Sequence, residues 1–145
     1  MENKYYTPTI EEFHIGFEYE TRFGLNSPFT TCILHPGYKF TQIEKDINED
    51  YIRVKYLDDE DIKSLGFINW TVEWTDHARY YFTKSLPDGS ISIKDGIQLF
   101  FIFGSYDRDH VTIYNIINEI KHVLFDGVVQ NKSELKVLLK QLNIS

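Results

Sequence analysis

Three observations predict an α+β, β-rich fold. Apolar residues alternate with polar ones through several short stretches, and the chain is rich in Phe and Tyr. Turn signals recur between those stretches, and the C-terminus carries one clear amphipathic helix. The expected architecture is a mostly antiparallel sheet or sandwich of about seven to nine strands, with a short middle helix and the C-terminal amphipathic helix packed on the sheet. The 11 Phe, 10 Tyr and 2 Trp suit a pleated, half-buried surface. No linker, low-complexity stretch or repeat interrupts the chain, so residues 1–145 are expected to form a single domain.

The elements follow in order. Phe13–Glu20 alternates, with Phe13, Ile15, Phe17 and Tyr19 on one side, and reads as a strand with one face buried. Asn26-Ser27-Pro28 is a turn, and Phe29–Leu34 reads as a short strand stopped by Pro36-Gly37. Tyr38–Ile43 reads as a further strand. Tyr51–Tyr56 alternates again, and its pairing with the first strand would set Glu18 and Glu20 across from Arg53 and Lys55. In Leu57–Gly66, Asp58 caps a short helix, Asp59, Glu60 and Asp61 suit its positive end, and Gly66 stops it. That accounts for the acidic run without calcium, whose loop needs alternating ligands and a downstream Glu.

Trp70–Thr75 and Arg79–Thr83 read as strands, and Pro87-Asp88-Gly89 as a turn. Ser90–Ile93 and Ile97–Phe103, joined by Lys94-Asp95-Gly96, read as a hairpin. The second arm is apolar on both faces and should be the central strand. Within Val111–Leu124, the residues Ile113, Ile116, Ile117, Ile120 and Leu124 also fit helical spacing, but two strands turning near Asn118-Glu119 are preferred. Asp126-Gly127 marks a turn or bulge. Asn131 caps the last helix, Glu134 follows three residues later, and Leu135, Leu138, Leu139 and Leu142 form its apolar stripe.

Charge narrows the function classes. The net charge of −7 repels phosphate backbones, which argues against nucleic-acid binding. Lys132, Lys136 and Lys140 recur every fourth residue, the pattern of a solvated helix face. Cys32 is alone, so no intramolecular disulfide forms. Met1-Glu2-Asn3-Lys4 lacks a signal-peptide layout, and the apolar run Ile97–Phe103 is too short to span a bilayer. The expected location is a cytoplasm, with no membrane partner.

Cys32 with His35 is one pair without a second, so no metal site or other cofactor is expected, and an extended strand keeps His35 from serving Cys32 as a base. The remaining histidines, His14, His77, His110 and His122, are scattered. Asp107, Asp109 and His110 fall in a polar connection where a carboxylate–imidazole pair could do acid–base work, although polar turns are the norm. Trp70, Trp74, Tyr80, Tyr81 and Phe82 could line a pocket, but core packing explains those that alternate. Tyr5, Tyr6 and Tyr81 are the better interface anchors. The candidate ligand-binding or interface residues are therefore Tyr5, Tyr6, Tyr81, Asp107, Asp109 and His110, with no catalytic set.

Three stretches carry a resemblance: Tyr5–Glu20 (YYTPTIEEFHIGFEYE), Ile52–Phe67 (IRVKYLDDEDIKSLGF) and Phe125–Leu142 (FDGVVQNKSELKVLLKQL). They resemble small uncharacterised proteins encoded by phages and prophages of gut Bacteroidetes, and together cover about a third of the chain. The family has no assigned activity or site residues to carry over. The resemblance implies a virus-encoded accessory protein in a bacterial host cytoplasm. The expected function is a non-enzymatic protein-binding module acting on a host or phage protein, with host defence as one target. The alternatives are a small-ligand or nucleotide sponge and a virion component.

Overall fold

The computed structural model describes residues 4–69, 79–84, 95–102 and 110–144. The chain divides into two compact units, Met1–Tyr56 and Leu57–Ser145. Each has its own antiparallel sheet and its own hydrophobic core. The α+β, β-rich architecture expected from the sequence holds, with nine strands and three α-helices among the described residues.

The first unit contains β1 (Tyr5–Tyr6), β2 (Glu18–Thr21), β3 (Thr30–Ile33), α1 (Phe40–Asn48) and β4 (Ile52–Lys55), in the sheet order β1-β4-β2-β3. Ile52 and Val54 point inward, where they meet Phe13, Phe17, Tyr19, Leu34 and Ile43. Arg53 and Lys55 take the other face, as period-two geometry requires.

Two expectations fail here. Of the expected strand Phe13–Glu20, only Glu18–Glu20 falls in a strand, which runs Glu18–Thr21. Gly16 takes φ +91°, and the Phe17 amide donates to the His14 carbonyl at 2.9 Å. That turn lets Phe13 and Phe17 both enter the core, with ring centroids 4.8 Å apart, while Ile15 is left exposed. Tyr38–Ile43 is not a strand, because Phe40 opens helix α1. Ile43 and Ile47 stand one turn apart and pack on the core, and the Gln42 amide donates to Asp46 Oδ1 at 2.9 Å.

The second unit contains α2 (Asp59–Ser64), β5 (Phe67–Asn69), β6 (Arg79–Lys84), β7 (Gly96–Ile102), β8 (His110–Ile117), β9 (Ile120–Val128) and α3 (Lys132–Gln141). The sheet order β5-β6-β7-β8-β9 puts β7 at the centre, as its apolar sequence predicts. Its neighbours are β6 and β8; the expected first arm, residues 90–93, lies outside the described residues, as does Trp70–Thr75. Helix α3 covers the inner face, with Leu135 and Leu139 against Leu99, Phe101, Val111 and Ile113. Asn131 Oδ1 accepts from the Glu134 amide at 2.8 Å, the cap the sequence marks.

Asp58 and Asp61 cap α2 reciprocally, at 3.0 and 3.3 Å, so the acidic run serves a helix end. The Lys63 ammonium lies 3.1 Å from Asp59 Oδ2, and that carboxylate holds its pKa above the usual lysine value. Val111–Leu124 is indeed two strands. Asn118 and Glu119, at φ 51° and 67°, form the tight turn between β8 and β9.

The irregularity in β9 is a correction. Asp126 and Gly127 pair regularly with Thr112 and Val111, while the register shifts where Val123 faces Tyr114 and Phe125 faces Ile113. Leu124 is therefore the bulged residue. Among the described residues no helix is long and apolar enough to cross a membrane.

Candidate interaction surface

In the first unit the outer face of the sheet is closed by a cation. Arg53 lies 3.6 Å from the Tyr5 ring centroid and 3.9 Å from that of Phe29, and its Nη2 donates to Glu20 Oε1 at 3.1 Å. Glu20 and Arg53 are direct cross-strand partners, as the sequence predicts. The same antiparallel register, continued two residues, runs from Glu18 to Lys55, while Glu18 faces Ile33 on its β3 side and Lys55 faces Tyr5 on its β1 side. Arg22 also lies over the Phe29 ring, 4.7 Å from its centroid. Tyr5 is thus half-buried under a guanidinium.

Tyr6 points to the opposite face. Its hydroxyl donates to Glu12 Oε1 at 2.6 Å, and its ring lies 4.8 Å from that of Tyr56. Cys32 is half-buried against the core and His35 is exposed. Burial, then the neighbouring Tyr38 hydroxyl, pushes the Tyr19 phenol well above its ordinary range.

In the second unit the pairing register sets Tyr81, Phe100, Thr112 and Asp126 in one row across the outer face. Tyr81 and Phe100 touch, with centroids 4.7 Å apart. Phe82, the next residue, faces inward and is fully buried, so Tyr81 and Phe82 cannot line one pocket. Trp70, Trp74, Asp107 and Asp109 lie outside the described residues.

His110 is described, and its Nε2 lies 3.0 Å from Asp126 Oδ1, the oxygen that also accepts from the Thr112 hydroxyl at 3.1 Å. Asp126 is a partner that sequence reasoning missed, because only the register across β8 and β9 brings it beside His110. The chemistry of this trio is limited. A hydroxyl nucleophile must hand its proton to the imidazole, whereas here hydroxyl and imidazole both address the carboxylate. Among the described residues no three His, Cys, Asp or Glu side chains converge as metal ligands would. The Lys136 and Lys140 side chains lie exposed along α3.

Strand β9 offers a surface of its own, which the sequence-predicted His110 adjoins through Asp126. It ends the sheet and spans nine residues. Its large apolar side chains stay in solvent: Ile120 is 61% exposed, Val123 60%, Leu124 40% and Val128 48%. Among the described residues no strand pairs with its outer edge. A long apolar edge with unpaired backbone groups is a template for another strand, which most proteins shorten, charge or cover. The signal was present in the sequence as the apolar residues that fitted both strand and helix periods. No family model, curated protein or solved structure matches this chain.

Proposed function

We propose that this chain is a non-enzymatic protein-binding module that docks a partner along β9. The observation that carries the reading is that edge, nine residues long, with apolar side chains exposed on both faces. An extended partner segment would pair with the outward N–H and C=O groups, and alternate side chains would give selectivity. The arrangement of His110, Thr112 and Asp126 supports the non-enzymatic reading, because the hydroxyl addresses the carboxylate and not the imidazole. Together with the resemblance to phage-encoded proteins, the reading is of a viral accessory protein acting in a bacterial cytoplasm on a host or phage protein.

The test is affinity capture from host cells with the wild type and with a Val123→Lys/Val128→Lys variant. The wild type should retain one protein near stoichiometry and the variant should lose it while keeping the same circular dichroism. Equal capture by both, or none by the wild type, would contradict the reading.

One observation favours a small ligand instead. Gln98, on the outer face between Thr83 and Tyr114, is buried, and its Oε1 has no hydrogen-bond partner among the described residues. Mass spectrometry of the purified protein under native conditions, finding a retained small molecule that Gln98→Leu releases, would move the weight to that reading.

A further inference from the structure

We infer that the strand β9 is built to receive is β9 of a second copy, paired antiparallel about a twofold axis between Val123 and Leu124. The inference rests on the reading of β9 as a binding edge and names its partner. A twofold contact must be self-complementary, since each residue meets the other copy's counterpart in reversed order. The bulge is what makes β9 self-complementary.

In a regular strand, Lys121 and Asp126 would point to opposite faces, because five positions separate them. Here Lys121 pairs with Ile116 and Asp126 with Thr112, residues four apart on β8, so both side chains share the outer face. The extra residue, Leu124, shifts the parity between them. In the antiparallel pairing that sets Lys121 against the second copy's Asp126, faces match along the strand. Ile120 meets Gly127 and His122 meets Phe125 on the inner side, while Lys121 meets Asp126 twice on the outer side. Val123 and Leu124, both exposed in the single chain, meet at the axis.

Both charged partners reach solvent, although Lys121 also lies 5.2 Å from the Tyr114 ring centroid. Lys121 is exposed, and the Asp126 side chain is 59% exposed despite its bonds to His110 and Thr112. Shifting the pairing by two residues sets Lys121 against Leu124 or Val128, and so loses both charge pairs. The acidic chain as a whole repels its copy, so local opposite charges are what would fix this register.

The experiment uses sedimentation equilibrium on three proteins: wild type, Lys121→Asp and Asp126→Lys. Each variant sets like charges together twice in its own dimer, whereas a mixture of the two restores two opposite pairs. The wild type should dimerise, each variant alone should dimerise about tenfold more weakly, and an equimolar mixture should recover the wild-type affinity. Lys121→Asp leaves the His110 and Thr112 bonds to Asp126 in place, so it must weaken the dimer even if Asp126→Lys fails to fold. A wild type that stays monomeric at roughly 100 µM, a concentration that detects even weak pairing, overturns the inference. So does a dimer that neither variant changes. In either case, loss of a captured protein by Val123→Lys/Val128→Lys would leave β9 standing as a binding edge for a different partner.

Discussion

The two sheets treat their outer surfaces in opposite ways. The four-stranded sheet has short edges, with two residues in β1 and four in β3, and a guanidinium clamped between Tyr5 and Phe29 and paired with Glu20 seals its outer face. What that unit leaves in solvent is a set of scattered positions, Phe23 above all at 95% exposure, outside its strands in the link between β2 and β3. Single exposed apolar residues of that kind are ordinary. The five-stranded sheet ends instead in a nine-residue strand with apolar side chains exposed on both faces, and its charged contacts, His110 with Asp126 and Lys121 with Tyr114, leave those side chains uncovered. The same chain therefore closes one edge problem and leaves the other open, and the open one is where a partner strand has something to gain.

The largest expected effect probes what the sheets share. Phe101 is fully buried at the centre of the second core, and Phe101→Ala should cost about 3–5 kcal/mol, read from chemical denaturation. A loss under ~1 kcal/mol would mean that the inner face of the five-stranded sheet is not packed as described.

Next comes the clamp. Arg53→Ala should cost about 1–2 kcal/mol, because it removes two ring contacts and strands Glu20 beside them. Arg53→Lys should recover only part of it, since a compact ammonium cannot fill the plane between two rings. Full recovery by lysine would reduce the clamp to a plain charge pair.

Tyr19 gives the first unit a pH signature. Its folded pKa is raised above the ordinary 10.0, chiefly by burial. Its contribution is therefore complete below pH 10.0 and is lost as pH rises above that value, where the unfolded chain can ionise and the folded one resists. Wild type should lose stability on the alkaline side more steeply than Tyr19→Phe in thermal melts. Parallel slopes would place the phenol in water.

The smallest stability effect belongs to β9. Val123→Lys should change stability by no more than about 0.5 kcal/mol, because the side chain already stands in solvent, yet it should weaken partner binding. A large destabilisation would show that β9 serves the fold of its own chain.

The legible parts of the fold were those fixed by neighbours in sequence. Asp58 with Asp61 and Asn131 with Glu134 mark helix ends within one turn, and the apolar run of β7 announces burial on both sides. Helix α1 was hidden because the segment Tyr38–Ile43 stops before Ile47, the second residue of its apolar face. The first strand was overread because Gly16 turns the chain inside a run that alternates perfectly on paper.

The site was less legible for the same kind of reason. His110 and Tyr81 could be nominated one by one, but the partnership of His110 with Asp126 is a matter of register, and one bulged residue sets that register. The apolar residues of β9, Ile120 and Leu124 among them, were legible, but their exposure depends on which strand ends the sheet, which no local pattern encodes.

Amide hydrogen exchange across β9, in the free chain and in the bound one, tests the central claim most directly. Bound here means saturated with the protein that the wild type captures, a second copy included. The account predicts that residues 121–128 gain protection on binding while β2, β3 and β4 do not change. Protection confined to other segments, with β9 exchanging as fast as before, would contradict it.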